Sequence, residues 1–146
     1  HIIKCIGFMG MSEQNDITNI QEAREGIEVQ AATLAAQRRT EEDIMRASAA
    51  LAEMEARIVH GKSPTQASLS FHEELVKASH NDILVKVNDF LREMLKISRQ
   101  ETLRDPAQLT LAVQQHREIL QAVIERDSEK AAVLMREHLR VLPTHH

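Results

Sequence analysis

The chain has 146 residues, a formal net charge of −4 and 42% hydrophobic residues, which suits one globular domain with a substantial core. It contains four Gly, three Pro and three Phe as its only aromatic residues, a composition that disfavours an all-β fold rich in tight turns. The negative net charge gives no general electrostatic footprint for nucleic acid, and the single Cys5 excludes both an intrachain disulfide and a CxxC-type zinc site.

Residues 1–15 are predicted to form a linker or N-terminal arm. The segment is mostly apolar, but it lacks the basic start and the small-residue cleavage site of a signal peptide. No apolar run in the chain approaches the roughly 20 residues of a membrane-spanning helix. We therefore expect no membrane partner and a cytoplasmic location, which the use of a single cysteine also favours.

Apolar periodicity and capping signals predict three helices in the first half of the chain. The first runs from about Asp16 to Arg39, with Asp16 or Thr18 as its cap. The segment 40–43 resembles a capping box and opens a second helix, which Gly61 ends. Ser63-Pro64 is a start signal for a third helix that continues to about residue 79.

Three more helices are predicted in the second half. The fourth starts at Asn81 and has an unusually wide apolar face. Asp105-Pro106 opens the fifth, and Asp127 or Ser128 caps the sixth, which ends before Pro143. No strand pattern or internal repeat is present. Six helices joined by short connections predict an all-α antiparallel bundle, a fold whose core often holds metal and cofactor sites.

Three histidines, His72, His116 and His138, each lie in the middle of an apolar helical stripe. Such stripes face a core, where a polar ring without partners costs about 1–3 kcal/mol. Three inward imidazoles could offset that cost together by binding one divalent transition metal ion. Each histidine taken singly is explained as well by a hydrogen bond to a carbonyl group or a water, so the residues leave both interpretations open.

The order of the motifs resembles the FCD effector domain, the C-terminal sensor half of FadR-type GntR transcriptional regulators. The resemblance covers about residues 16–142. Its motifs are E-x-R-x-x-I-E…L-A-A at 22–36, F-H-x-x-L-x-x-A-S-x-N at 71–81 and H-x-x-I-L-x-A…M-x-x-H-L at 116–139. It implies an FCD-like bundle that senses a ligand and forms a homodimer. It also implies that operator DNA is bound by an N-terminal winged helix-turn-helix domain, which we expect to be absent from this chain.

In metal-containing members of that family, an Asp and a His one turn apart join two later histidines around a divalent ion. The resemblance places His72, His116 and His138 in this set, with Ser68 at the position of the Asp. A neutral hydroxyl is a poor ligand for zinc or nickel, the two most expected metals. The prediction is a three-histidine site completed by water or by a carboxylate. The alternative is a metal-free polar pocket that binds water or an organic acid directly.

Arg24 is predicted to bind the carboxylate of a small organic acid. It lies between Ile20 and Ile27 on the inward stripe of the first helix, and the resemblance implies this role because sugar-acid-sensing relatives use the matching arginine. An internal ion pair with Glu28 is equally consistent. Ser68 and Asn81 complete the predicted effector site, although a capping role explains Asn81 as well.

The predicted function is therefore that of a non-enzymatic, effector-sensing domain of a bacterial transcription regulator. A first alternative is a metal-dependent hydrolase or lyase, for which three histidines and a water would suffice. Glu73 and Glu74 are expected to point away from the pocket, so a general base is not evident. A second alternative is a metal-free member that senses a fatty acyl thioester such as acyl-CoA, and the three histidines argue against it.

Overall fold

The computed structural model describes residues 13–98 and 105–141. Within these ranges the chain forms six α-helices and no strand, which confirms the predicted all-α class. Most of the predicted N-terminal arm (1–12), Pro143 and the two C-terminal histidines lie outside the described residues. In chain order the helices are α1 (Glu13–Arg38), α2 (Glu41–Val59), α3 (Thr65–Ala78), α4 (Asp82–Ser98), α5 (Pro106–Ile124) and α6 (Ser128–Val141).

Two of the predicted helix starts have the expected capping geometry. At the start of α2, the Thr40 hydroxyl accepts from the backbone N–H of Asp43, and the Asp43 carboxylate accepts from the backbone N–H of Thr40. This is the predicted capping box, with Asp in place of Glu. At the start of α5, Asp105 accepts from the backbone N–H of Ala107 at 3.0 Å and precedes Pro106.

One predicted start was misplaced, and another is shifted by one residue. Helix α1 begins at Glu13, so Asp16 and Thr18 lie inside it and neither is its cap. Asp16 instead lies within the helix, where its side chain is buried. Helix α3 begins at Thr65, directly after the predicted Ser63-Pro64 signal; Pro64 occupies the cap position, and Oγ of Ser63 accepts from the backbone N–H of Thr65 at 3.3 Å.

Helix α1 is the centre of the bundle and packs against α3, α4, α5 and α6. Its buried face carries four alanines at 31, 32, 35 and 36, and these small side chains let the neighbouring helices approach closely. The main core joins this alanine face to Phe71 of α3, Ile119 of α5 and Met135 of α6. The helices that carry the three predicted site histidines are therefore packed around one common core.

The wide apolar face predicted for α4 is only partly buried. Leu91, Met94 and Leu95 pack against Ile20 of α1. At the other edge of the same face, the side chain of Ile83 is 66% exposed and Phe90 is 41% exposed. The described part of a single chain therefore leaves an apolar strip of α4 in contact with solvent.

Candidate metal and effector site

The imidazoles of His72, His116 and His138 meet at one point inside the bundle. They come from α3, α5 and α6, and each residue is at most 2% exposed. The Nε2 atoms lie 3.1 Å apart between His72 and His138, 3.2 Å between His116 and His138, and 3.3 Å between His116 and His72. The structure thus brings together the three histidines that the sequence singled out, with the same nitrogen of each ring turned inward.

Packing around the rings holds this arrangement in place. The ring of Phe71 stacks on the ring of His116, with centroids 4.5 Å apart and an interplanar angle of 18°. The rings of His72 and His138 are also stacked, with centroids 5.0 Å apart. Because each ring has one flat neighbour, its plane is fixed by contact and its Nε2 cannot easily turn out of the cluster.

The outer nitrogens of two rings have oxygen partners. Nδ1 of His72 lies 2.5 Å from Oε1 of Glu28, and Nδ1 of His138 lies 2.7 Å from Oε1 of Gln115. Both partners are acceptors, so each Nδ1 carries a proton, and in the neutral ring each Nε2 presents a lone pair to the centre. Nδ1 of His116 is buried and has no hydrogen-bond partner within the described ranges.

The imidazoles of His116 and His138 are held in the neutral form that binds metal ions. Burial, together with the neighbouring charges of His72 and His138, lowers the pKa of His116 well below its ordinary value. Burial, followed by the charges of His72 and Arg24, lowers the pKa of His138 to about 3. At neutral pH these two imidazoles are therefore uncharged, and metal binding does not have to displace a proton from them.

The spacing of the three nitrogens suits a divalent transition metal. Zinc binds imidazole nitrogen at about 2.0–2.1 Å, which separates neighbouring ligands by about 3.3–3.4 Å in a tetrahedral set. The same bond length gives about 2.8–3.0 Å between adjacent ligands in an octahedral set. The observed separations of 3.1–3.3 Å fall between these values. Converging lone pairs at this spacing repel one another unless a cation or a shared proton lies among them.

Ser68 lies one turn before His72 on the buried face of α3, as the motif predicted. It is not among the groups whose ligand atoms converge. The two acidic residues that follow His72 form ion pairs elsewhere: Glu73 accepts from Arg92 of α4 at 2.7 Å, and Glu74 lies 3.4 Å from Arg46 of α2. Neither therefore replaces the carboxylate that Ser68 lacks.

Arg24 is 6% exposed and forms a buried ion pair with Glu28, which is 1% exposed. Its Nε donates to Oε2 of Glu28, while Oε1 of the same carboxylate accepts from His72. Burial alone would raise the pKa of Glu28, but the charge of Arg24 and the hydrogen bonds from both partners outweigh it and hold that pKa well below its usual range. The carboxylate is therefore ionised and joins Arg24 to the histidine cluster.

The bond between Glu28 and His72 was missed from the sequence, where Glu28 was considered only as a partner of Arg24. A signal existed, because Glu28 follows Arg24 by one turn on the same inward stripe and a buried acid needs partners. The role of Gln115 had no such signal, since it precedes His116 directly and residues adjacent in a helix point in different directions.

Asn81 is a helix cap in this structure. Its Oδ1 accepts from the backbone N–H groups of Ile83 and Leu84 at 3.0 and 3.1 Å, which satisfies the start of α4. The capping role considered from the sequence is thereby confirmed. Contact between Asn81 and an effector stays a prediction.

No helix in the described ranges combines the length and apolar character needed to cross a bilayer.

Two solved structures share the fold. The chain superposes on the Streptococcus agalactiae protein GntR with a TM-score of 0.76 at 20% identity, over 92% of this chain and 62% of that one. It superposes on the E. coli protein McbR/YncC with a TM-score of 0.70 at 18% identity, over 84% of this chain and 60% of that one.

Sequence comparison extends this similarity to regulators. The chain is 28% identical to the HTH-type transcriptional regulator LutR of Bacillus subtilis over 134 residues, covering 88% of this chain and 61% of that protein. It is 26% identical to the galactonate operon transcriptional repressor of Escherichia coli over 123 residues, covering 82% and 54%. The chain thus spans less than two thirds of the length of these relatives. The FCD domain profile matches residues 19–141, and the chain belongs to this family of domains, found in GntR-type transcription regulators.

Proposed function

We propose that this chain is the effector-sensing domain of a GntR-type transcription regulator and binds a small carboxylate beside a divalent cation. The cation is held by Nε2 of His72, His116 and His138. The observation that carries the proposal is the convergence of these three buried nitrogens, two of which present lone pairs because Glu28 and Gln115 hold the opposite nitrogens. Once bound, the cation supplies a positive centre with an open position for an oxygen ligand.

Arg24 supports the second half of the proposal. Its guanidinium donates through Nε to Glu28, and in the proposal the edge that carries Nη1 and Nη2 binds the carboxylate of the acid. That edge offers two parallel N–H groups, the geometry that a carboxylate accepts best. The acid would thus be held between Arg24 and the cation, with Ser68 on the same side as His72. Asn81 could contribute only its amide nitrogen, because its oxygen caps α4.

The remaining parts of the proposal come from the relatives and from α4. The curated relatives are longer transcriptional regulators, so we place operator binding in an N-terminal winged helix-turn-helix domain and the whole protein in the cytoplasm. The exposed Ile83 and Phe90 on α4 support a homodimer, because a second copy would remove this apolar strip from water.

Zinc titration of chelator-treated protein, followed by native mass spectrometry, tests the cation. We expect one ion per chain in wild type and a loss of binding of at least about tenfold in His116→Ala. His60→Ala is the matched control, since His60 is an exposed histidine at the end of α2. Equal affinity of wild type and His116→Ala, or no binding by wild type, contradicts the cation site. A metal-free protein that carries a fatty acyl thioester instead would favour the acyl-sensing alternative.

Thermal shifts with a panel of small carboxylates test the acid site. We expect Arg24→Met to abolish the stabilisation that wild type gains from those acids, while zinc binding is retained. Unchanged stabilisation in the variant would exclude Arg24 from the site. A turnover assay on esters and amides of the same acids tests the hydrolase alternative, and we expect none, because Glu73 and Glu74 are engaged in ion pairs with Arg92 and Arg46.

A further inference from the structure

One buried carboxylate contacts both halves of the proposed site. Oε1 of Glu28 lies 2.5 Å from Nδ1 of His72, and Oε2 accepts from Nε of Arg24. Glu28 lies on α1, while His72 lies on α3, so the contact crosses a helix interface. Because Glu28 is 1% exposed, water does not compete for either oxygen. The orientation of His72 and that of Arg24 therefore depend on the same side chain.

The partner of His138 shows that a neutral acceptor is sufficient to orient a histidine ring. Gln115 accepts from Nδ1 of His138 at 2.7 Å and carries no charge, yet it fixes the same tautomer as Glu28 fixes at His72. A neutral amide at position 28 could orient His72 equally well. The negative charge of Glu28 therefore has a second role, which is to neutralise the buried positive charge of the Arg24 guanidinium.

The charge also bears on a cation at the histidines. Without Glu28, the positive charge of Arg24 would lie unpaired beside the cation in a medium of low polarity, where like charges repel strongly. With Glu28 present, the ion pair is neutral overall and its carboxylate faces the ring that contacts the cation. Arg24 can then bind an acid through its Nη atoms while its positive charge stays neutralised by Glu28 and does not repel the cation.

We propose that Glu28 is a shared positioning residue, which sets the tautomer of His72 for the cation and holds Arg24 in place for the acid. This inference rests on the proposed function. It predicts that loss of Glu28 weakens binding of both the cation and the acid, whereas loss of Gln115 weakens binding of the cation alone.

Nitrogen-15 NMR of histidine-labelled, metal-free protein tests the tautomer directly. In wild type we expect His72 and His138 to carry their protons on Nδ1. In Glu28→Leu, the proton of His72 should move to Nε2, which can then donate to Nε2 of His138, 3.1 Å away. Gln115→Leu should change His138 and leave His72 unchanged. A proton on Nε2 of His72 in wild type, or an unchanged His72 in Glu28→Leu, overturns the inference.

Two further variants keep the test decisive if Glu28→Leu does not fold. Glu28→Gln retains an acceptor, so His72 should keep its tautomer while zinc affinity falls because the charge is lost. The double variant Arg24→Met with Glu28→Leu replaces the ion pair by apolar side chains, a change that proteins often tolerate. Its His72 should again carry the proton on Nε2, and retention on Nδ1 would overturn the inference.

Titrations with Zn²⁺ and with acetate complete the experiment. Glu28→Leu should lower zinc affinity about 10–100-fold and also weaken acetate binding, whereas Gln115→Leu should lower zinc affinity alone. Equal effects of the two variants on acetate would contradict the shared role of Glu28. Failure of wild type to bind Zn²⁺ would reject the proposed function, and the tautomer of His72 in metal-free protein would still decide the role of Glu28.

Discussion

Arg39 and Arg126 exchange hydrogen bonds between the ends of two helices that are distant in the chain. Nη2 of Arg39 donates to the carbonyl group of Ile124, the last residue of α5, at 2.7 Å. In return, Arg126 donates from Nη1 to Gln37 at 3.1 Å and from Nη2 to Arg39 at 3.2 Å, where α1 ends. Each guanidinium thus satisfies carbonyl groups that have no partner within their own helix.

The backbone of Arg126, which makes this contact, is in the left-handed region, with φ 61°. A residue with a Cβ is strained there by about 1–2 kcal/mol, and glycine is not. Arg126→Ala loses the guanidinium and keeps the strain, whereas Arg126→Gly loses the guanidinium and removes the strain. We expect the glycine variant to be more stable than the alanine variant by about 1 kcal/mol in urea unfolding. An alanine variant as stable as the glycine variant would refute this.

Two glycines should respond to the same substitution with opposite signs. A Cβ added at Gly26 or at Gly61 meets no atom within 4 Å, so packing does not decide either outcome. Gly26 lies inside α1, and Gly26→Ala should raise the free energy of unfolding by about 0.5–1 kcal/mol. Gly61 has φ +69°, and Gly61→Ala should lower it by about 1 kcal/mol. Thermal unfolding of both variants checks the signs, and a shared sign would be inconsistent with this explanation.

Asp43 should make the stability depend on acidic pH. Burial would raise its pKa, but hydrogen bonds from Thr40 and His80 outweigh burial and hold the pKa below the ordinary 3.8. Arg46 is the other charged group at this carboxylate, 2.8 Å away. A carboxyl group with a lowered folded-state pKa contributes stability above its unfolded pKa and loses it as the pH falls through the folded value.

The contribution of Asp43 should therefore be complete at neutral pH and vanish as the pH falls below 3.8. Asp43→Asn should be less stable than wild type at neutral pH by about 1–3 kcal/mol, and the difference should shrink in acid. Urea unfolding across this range measures it. Glu42→Gln, at an exposed neighbour in the first turn of α2, is the control and should follow the wild-type profile. A constant difference between Asp43→Asn and wild type would contradict the assignment.

Ser68→Asp should strengthen the proposed cation site. The new carboxylate would lie one turn before His72 on the buried face of α3, adding an oxygen ligand and a negative charge. Zinc affinity should rise at least about tenfold, which is about 1.4 kcal/mol. Ser70→Asp places the same charge on another side of α3 and should leave zinc affinity unchanged. If Ser68→Asp instead lowers the melting temperature and leaves zinc affinity unchanged, the pocket does not use a metal ion.

Helix boundaries were predictable wherever a side chain caps the backbone. Thr40 with Asp43, and Asp105 before Pro106, satisfy N–H groups within a few residues, so sequence alone contains the whole interaction. The start of α1 was misplaced because Asp16 has the chemistry of a cap but is buried by other helices. The apolar pattern of α4 also did not reveal that Ile83 remains exposed, because an apolar stripe indicates burial but does not show which helix or chain covers each of its residues.

The three histidines of the site were predictable from the sequence, whereas the residues that form hydrogen bonds with them were not. Three imidazoles on apolar stripes can be recognised from periodicity, and the order of the motifs links them to one site. The contact between Glu28 and His72 joins residues 44 positions apart, and its existence depends on how α1 packs against α3. Likewise, the bond from His138 to Gln115 depends on the rotation of α5 against α6. Helix rotation is a property of the packed core, which local patterns do not encode.

The burial of the histidine cluster has a kinetic consequence. His72, His116 and His138 belong to three helices, Glu28 belongs to a fourth, and none of these residues is more than 2% exposed. A chelator cannot reach an ion at this centre until the helices separate. Release of the ion would then follow the rate at which the bundle opens, with no dependence on chelator concentration once the chelator is in excess. The exchange rate of isotopically labelled zinc would therefore measure the rate at which these helices separate.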